Sequence, residues 1–258
     1  MSCQPKKESR TLLWICLARG SCKSVTVNEC KQATYHIWNA CFDQKQTAFH
    51  VHQQESAFTR ARCSLKLLPN ETPNGTVEVE IVESICADLA DPRNALIEDR
   101  DDAIKVKVDG EELYLSKKVL SGSSRFFDVL FNKDFKEKTE DTYELPGIKL
   151  DEFIHFLGLL HGFDMTIDKN TAEFLLNLAD MYQSQSVVRF CKHFLRHVDN
   201  KDVPVEKKIR LADHFKLHRL LMEEVEKISI ADLKIVPKGN LSQFAAELFL
   251  QKFNTQEP

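Results

Sequence analysis

The sequence predicts an α+β protein. A small antiparallel β-rich region comes first, then a small sheet covered by a cluster of helices, then a helical extension. Three observations carry this. Apolar residues recur with period two up to about residue 86, as half-buried strands require. A polar, turn-prone stretch follows at 87–101. Beyond about residue 116 the apolar spacing changes to three and four, the mark of helices with one buried face.

Residues 1–10 are polar and are expected to fray. Strands are expected through 11–86, where Val25, Val27, Tyr35, Ile37 and Trp38 are β-formers. Thr47–His52, Arg62–Leu67 and Thr76–Glu83 alternate in polarity. The last of these, after the turn cluster Pro69–Gly75, predicts a hairpin at Asn74-Gly75, with Val77, Val79 and Ile81 facing a core. Residues 87–101, with Asp91-Pro92 and Glu98–Asp102 close by, are the expected linker. Ile104–Leu115 reads as a hairpin turning at Asp109-Gly110, and 116–131 as two short helices. A strand near Tyr143–Leu145 ends at Pro146-Gly147. Helical stripes follow at Phe153, Leu157 and Leu160, at Leu175 and Leu178, and from Val187 to Val198. Further helices are expected over 204–217, 218–228 and 240–252, with Pro204 at an early helical position.

Composition narrows the function classes. Of 258 residues, 43% are hydrophobic, enough for a real core. Net charge is −4; residues 1–100 carry 12 basic and 12 acidic side chains, and the rest 23 against 27. Neither part has the cationic excess that binding a phosphate backbone requires, so nucleic acid is not an expected partner. No stretch is long and apolar enough to span a bilayer, and the run Leu12–Leu17 is short for a secretion signal. The expected location is the cytoplasm, with the nucleus as the alternative. Asn70, Asn74 and Asn240 head glycosylation-type tripeptides, which carry no weight in that setting. Seven of the eight cysteines lie at or before Cys86, Cys191 stands apart, and no Cys-x-x-Cys pair occurs. They are expected to be free thiols in a reducing compartment.

No phosphate-cradling glycine loop and no Gly-x-Ser-x-Gly elbow is found. His193 and His197, like His214 and His218, are four apart in helical sequence, and His50 and His52 share a strand face. Without further ligands these are expected to be solvated or capping histidines. No catalytic residue, cofactor or metal is expected.

Residues 102–198 resemble the BTB/POZ domain, in order and along its whole length. The resemblance runs through Val106–Glu112, Val119-Leu120-Ser121, Ser124–Phe127 and Leu130-Phe131. It continues through Phe135–Lys138, Leu145–Ile148, Leu175–Tyr182, Cys191 and Phe194-Leu195. It implies a fold of helices packed on a small sheet, with Leu120, Phe127, Leu130, Phe153, Leu157, Leu175 and Leu178 in its core. Ser116 stands where the family often has His, and His161 where it often has Tyr. Both departures weigh against the charged pocket that some transcriptional BTB dimers use.

The resemblance also implies partners. Family members commonly pair with themselves, and many recruit the cullin-3 ubiquitin-ligase scaffold through a hydrophobic-x-Glu tripeptide after the helical hairpin. Here that place holds Phe135-Lys136-Glu137. An exposed aromatic can anchor in a partner's apolar pocket, and a neighbouring carboxylate can meet a basic rim. The alternative is that Phe135 folds back on its own domain. The extension 199–258 is similar to the helices that enlarge the cullin groove in such adaptors, and Ile209, Ala212, Phe215, Leu220, Leu221 and Val225 could build it. The amphipathic face of Leu241, Phe244, Ala245, Leu248 and Phe249 packs internally or docks a partner. A β-rich region ahead of the domain is similar to MATH–BTB adaptors and would take the substrate protein, although MATH domains are usually longer. The expected function is a homodimeric adaptor joining a substrate to a cullin-3 ligase. The alternatives are a BTB scaffold or transcriptional co-regulator without a ligase role, and a metal or redox protein built on the clustered cysteines.

Overall fold

The computed structural model describes residues 9–27, 30–32, 36–44, 74–132, 142–235 and 241–254. The fold is α+β and falls into two compact units, drawn from 1–116 with 139–166 and from 117–138 with 167–258.

The first unit is built on a long central strand. Strand β1 (Leu12–Val27) pairs antiparallel with β2 (Cys30–Gln32), β3 (His36–Asp43) and β4 (Asn74–Asp88). Because β1 is central, its first residues are buried on both faces. Leu12, Trp14, Cys16 and Ala18 cluster with Phe42, while Leu13 and Ile15 point the other way and are also buried. A second sheet has the order β6–β5–β7. Strands β5 (Ala103–Val108) and β6 (Glu111–Ser116) form an antiparallel hairpin, and β7 (Thr142–Leu145) joins β5 in parallel. The hairpin turns at Asp109-Gly110, with φ of 50° and 82°. Two successive left-handed residues give the mirror-image turn that matches strand twist, which is why Asp-Gly serves there. Helix α3 (Leu150–Leu160) packs on β1, and Asp43 Oδ2 accepts from the Thr166 N–H at 2.6 Å.

Three expectations change here. Asn74-Gly75 is not a turn, because Asn74 pairs with Thr26 and Gly75 with Val25 as part of β4. Ile81 does not face the core; it is 61% exposed, beside an exposed Val82. The ladder to β1 slips there, Leu17 pairing with Glu83 and Ala18 with Ile81, so Val82 is an extra residue and the alternation breaks. The stretch 87–101 does not run free as a linker would. Ala87, Leu89 and Asn94 are buried, the Leu89 carbonyl accepts from the Tyr114 N–H at 2.7 Å, and Asn94 Nδ2 donates to the Tyr114 carbonyl at 3.0 Å. The expected strands at Thr47–His52 and Arg62–Leu67 lie outside the described residues.

The second unit is helical: α1 (Lys117–Ser123), α2 (Arg125–Asn132), α4 (Thr171–Met181), α5 (Gln185–His197), α6 (Val205–His214), α7 (His218–Lys227), α8 (Ile230–Ile235) and α9 (Gln243–Asn254). Local chemistry starts several of them. Asp168 Oδ1 accepts from the Asn170 and Thr171 N–H groups ahead of α4. Ser229 Oγ accepts from the Asp232 N–H and donates to the Asp232 carboxylate, a capping arrangement that starts α8, which apolar spacing alone did not reveal. Lys216, with a φ of 54°, breaks the chain between α6 and α7, so His214 and His218 sit on different helices and not on one, as their spacing had suggested. Of the expected core, Leu120, Phe127, Phe153, Leu157, Leu175 and Leu178 are buried and Leu130 is half-buried.

Candidate partner-binding surface

Helix α2 precedes the expected anchor in the sequence. Ser124 caps it, accepting from the Phe127 N–H at 3.2 Å and donating to the Tyr182 carbonyl at 2.5 Å. The inner face of α2 is aromatic. Phe127 stacks on Tyr182 with centroids 4.8 Å apart and on Phe131 at 5.7 Å, and Phe126 also meets Tyr182 at 5.3 Å. Such ring pairs add to the burial of apolar area and set the helix's position. Burial pushes the Tyr182 phenol well above its ordinary range, so it stays protonated and neutral. The outer side carries Arg125, Asp128 and Asn132, with Asn132 Nδ2 donating to Asp128 at 2.6 Å. Phe135 and Glu137, the expected cullin contacts, lie outside the described residues.

Residues 99–199 match the profile of the BTB/POZ domain. They form a BTB/POZ domain. "BTB and MATH domain-containing protein 36" of Caenorhabditis elegans is 29% identical over 113 residues, 44% of this chain and 35% of the relative. "BTB and MATH domain-containing protein 38" from the same organism is 28% identical over 150 residues, 56% of this chain and 38% of the relative. Human "Kelch-like protein 23" is 34% identical over 82 residues, 31% of this chain and 15% of the relative. The chain therefore spans little more than a third of the first two relatives' length.

Behind the BTB domain, polar links fasten the extension. Lys208 of α6 is buried at 2% exposure, and its ammonium donates to the Val198 carbonyl at 2.7 Å and to Asn200 Oδ1 at 2.8 Å. Val198 closes α5, so a cation sits at that helix's negative end. Burial lowers the Lys208 pKa, and the buried Glu224 carboxylate acts against that. Arg196 of α5 grips Glu223 of α7 with both forks, at 2.7 and 3.0 Å, and these hydrogen bonds hold the Glu223 carboxyl below its usual range. Lys207 meets Glu173 of α4 at 2.9 Å. Lys252 of α9 donates to the Val225 and Glu226 carbonyls at the end of α7.

The residues expected to build a groove mostly hold the extension together instead. Ile209, Ala212, Leu220, Leu221 and Val225 are buried, and Phe215 is half-buried. The α9 face packs internally: Ala245 and Phe249 are buried, and Phe244 meets the His218 ring edge-on at 4.7 Å. What this unit offers outward is a set of exposed apolar side chains that apolar spacing did not single out: Met181, Phe190, Met222 and Leu250.

The two departures from the family pattern both lie in the first unit. Ser116 is buried. His161 stacks on Phe163 at 5.7 Å, and burial lowers its pKa, with the Asp102 carboxylate pulling the other way. Cys86 and Cys191 are free thiols; burial pushes the Cys191 thiol up to about 12, which denies it a nucleophile's role near neutral pH. Among the described residues no three His, Cys, Asp or Glu side chains converge as a metal site, and no helix is long and apolar enough to cross a membrane.

Proposed function

We propose that this chain is a non-catalytic adaptor that pairs with itself through its BTB domain and joins a substrate protein to a cullin-3 ubiquitin ligase. The observation that carries the reading is the BTB domain at 99–199, in whose sequence Phe135-Lys136-Glu137 follows the capped and aromatic-packed α2. The fastened extension adds support, since α6 and α7 are tied to α4 and α5 by Lys208, Arg196–Glu223 and Lys207–Glu173. Phe135 supplies the apolar anchor and Glu137 the orienting charge. The β-rich region before residue 87 takes the substrate, in the manner suggested by relatives whose names join BTB and MATH. The adaptor works in the cytoplasm or nucleus.

The test is co-purification of cullin-3 with the intact chain and with a Phe135→Ala, Glu137→Lys double variant. Loss of cullin-3 in the variant, with an unchanged circular dichroism spectrum, supports the site. Equal recovery from both rejects it, and absence of cullin-3 from the unaltered chain favours the scaffold reading.

A further inference from the structure

The outward face of α5 carries a pair of side chains that the adaptor reading leaves unused. His193 and His197 are one helical turn apart, both are exposed, and their ring centroids lie 4.3 Å apart. His197 Nδ1 is 2.8 Å from the His193 backbone carbonyl. A carbonyl oxygen can only accept, so Nδ1 must hold the proton and donate it. In the neutral imidazole this leaves Nε2 as the nitrogen with a free lone pair. The same bond fixes the ring, in the way that outer hydrogen bonds orient histidines for a metal.

Two imidazoles at i and i+4 on one helix face can close on a single ion. Imidazole nitrogen suits zinc, copper and nickel better than calcium or magnesium. Both residues lie in the last turns of α5, where the partial negative charge of the terminal carbonyls favours a cation. The opposing charges are Arg189, Lys192 and Arg196 on the helix and the Lys208 ammonium already seated at the Val198 carbonyl. Arg196 is neutralised by its two bonds to Glu223.

We propose that His193 and His197 form a two-nitrogen chelate for a divalent ion of the zinc class on the exposed face of α5, with water in the remaining coordination positions. The ion would staple the last turns of the helix beside the Val198 carbonyl that Lys208 caps. An exposed thiol such as Cys86 competes for added zinc, so the test must read the two rings directly. Zinc chloride is titrated into the full chain labelled with ¹⁵N-histidine at neutral pH, and the imidazole nitrogens are followed by long-range proton–nitrogen NMR. His193→Ala and His197→Ala variants assign the signals and serve as controls; both positions are exposed, and alanine favours a helix. The expected result is that both Nε2 signals shift together and saturate at one ion per pair. In either variant the remaining histidine should need at least tenfold more zinc. Unmoved signals, or a shift of His197 that survives His193→Ala at the same zinc concentration, overturn the proposal.

Discussion

Replacing Lys208 with alanine should loosen the extension at the point where it leaves the BTB domain. The ammonium makes two short hydrogen bonds, to the Val198 carbonyl and Asn200, at a position that is 2% exposed. Hydrogen bonds to a charged group contribute about 1.5–3 kcal/mol, and the half-buried Val198 carbonyl left without its donor adds only the lower part of the about 1–3 kcal/mol that a fully buried one costs. The interaction with the end of α5 adds about 0.3–1 kcal/mol. The desolvation that lowers the Lys208 pKa acts against these gains, so a net loss of about 2–3 kcal/mol is expected for Lys208→Ala. Lys208→Met keeps the buried stem but not the donor and should fall between the two. The assay is urea unfolding followed by circular dichroism at 222 nm, with hydrogen exchange over 198–214 to locate the effect. If Lys208→Ala lies within about 0.5 kcal/mol of the parent, with unchanged exchange, the capping argument fails.

Other outcomes are equally open to measurement. His161 has a folded pKa below 6.5, so just under that value the unfolded chain binds more protons than the folded one. Stability should therefore fall as pH drops from 6.5 through the folded pKa, and His161→Phe should flatten that part of a melting-temperature profile taken from pH 7.5 to 5; an unchanged slope would contradict the assignment. Iodoacetamide at pH 8 should modify the exposed Cys86 in the folded chain and spare Cys191, as peptide mass spectrometry would report; early labelling of Cys191 would mean that α5 opens readily. Gly110→Ala should cost about 1 kcal/mol although space is open around it, because its φ of 82° strains any side chain. A denaturation midpoint matching the parent's would refute that.

The parts of the fold that could be read from sequence were those fixed locally. Asp109-Gly110 names its turn through two residues that tolerate positive φ, and the stripes of α3, α4 and α5 announce their buried faces by spacing. Long-range pairing was not legible. Asn74-Gly75 has the composition of a turn, but the length of β1 gives it a partner strand instead. The bulge at Val82 inverts a clean alternation without changing composition. Buried charges were hidden too, since Lys208 and Glu224 look like surface residues until the α5 terminus and each other are brought near. The candidate cullin contacts, Phe135 and Glu137, were reached through resemblance and not through any pattern intrinsic to the tripeptide.

The most direct test of the adaptor account is the mass in solution of the purified chain alone and mixed with purified cullin-3, by analytical ultracentrifugation. The account predicts a dimer alone and, on mixing, a complex holding two copies of each protein. A monomer that leaves cullin-3 sedimenting at its own rate would contradict it.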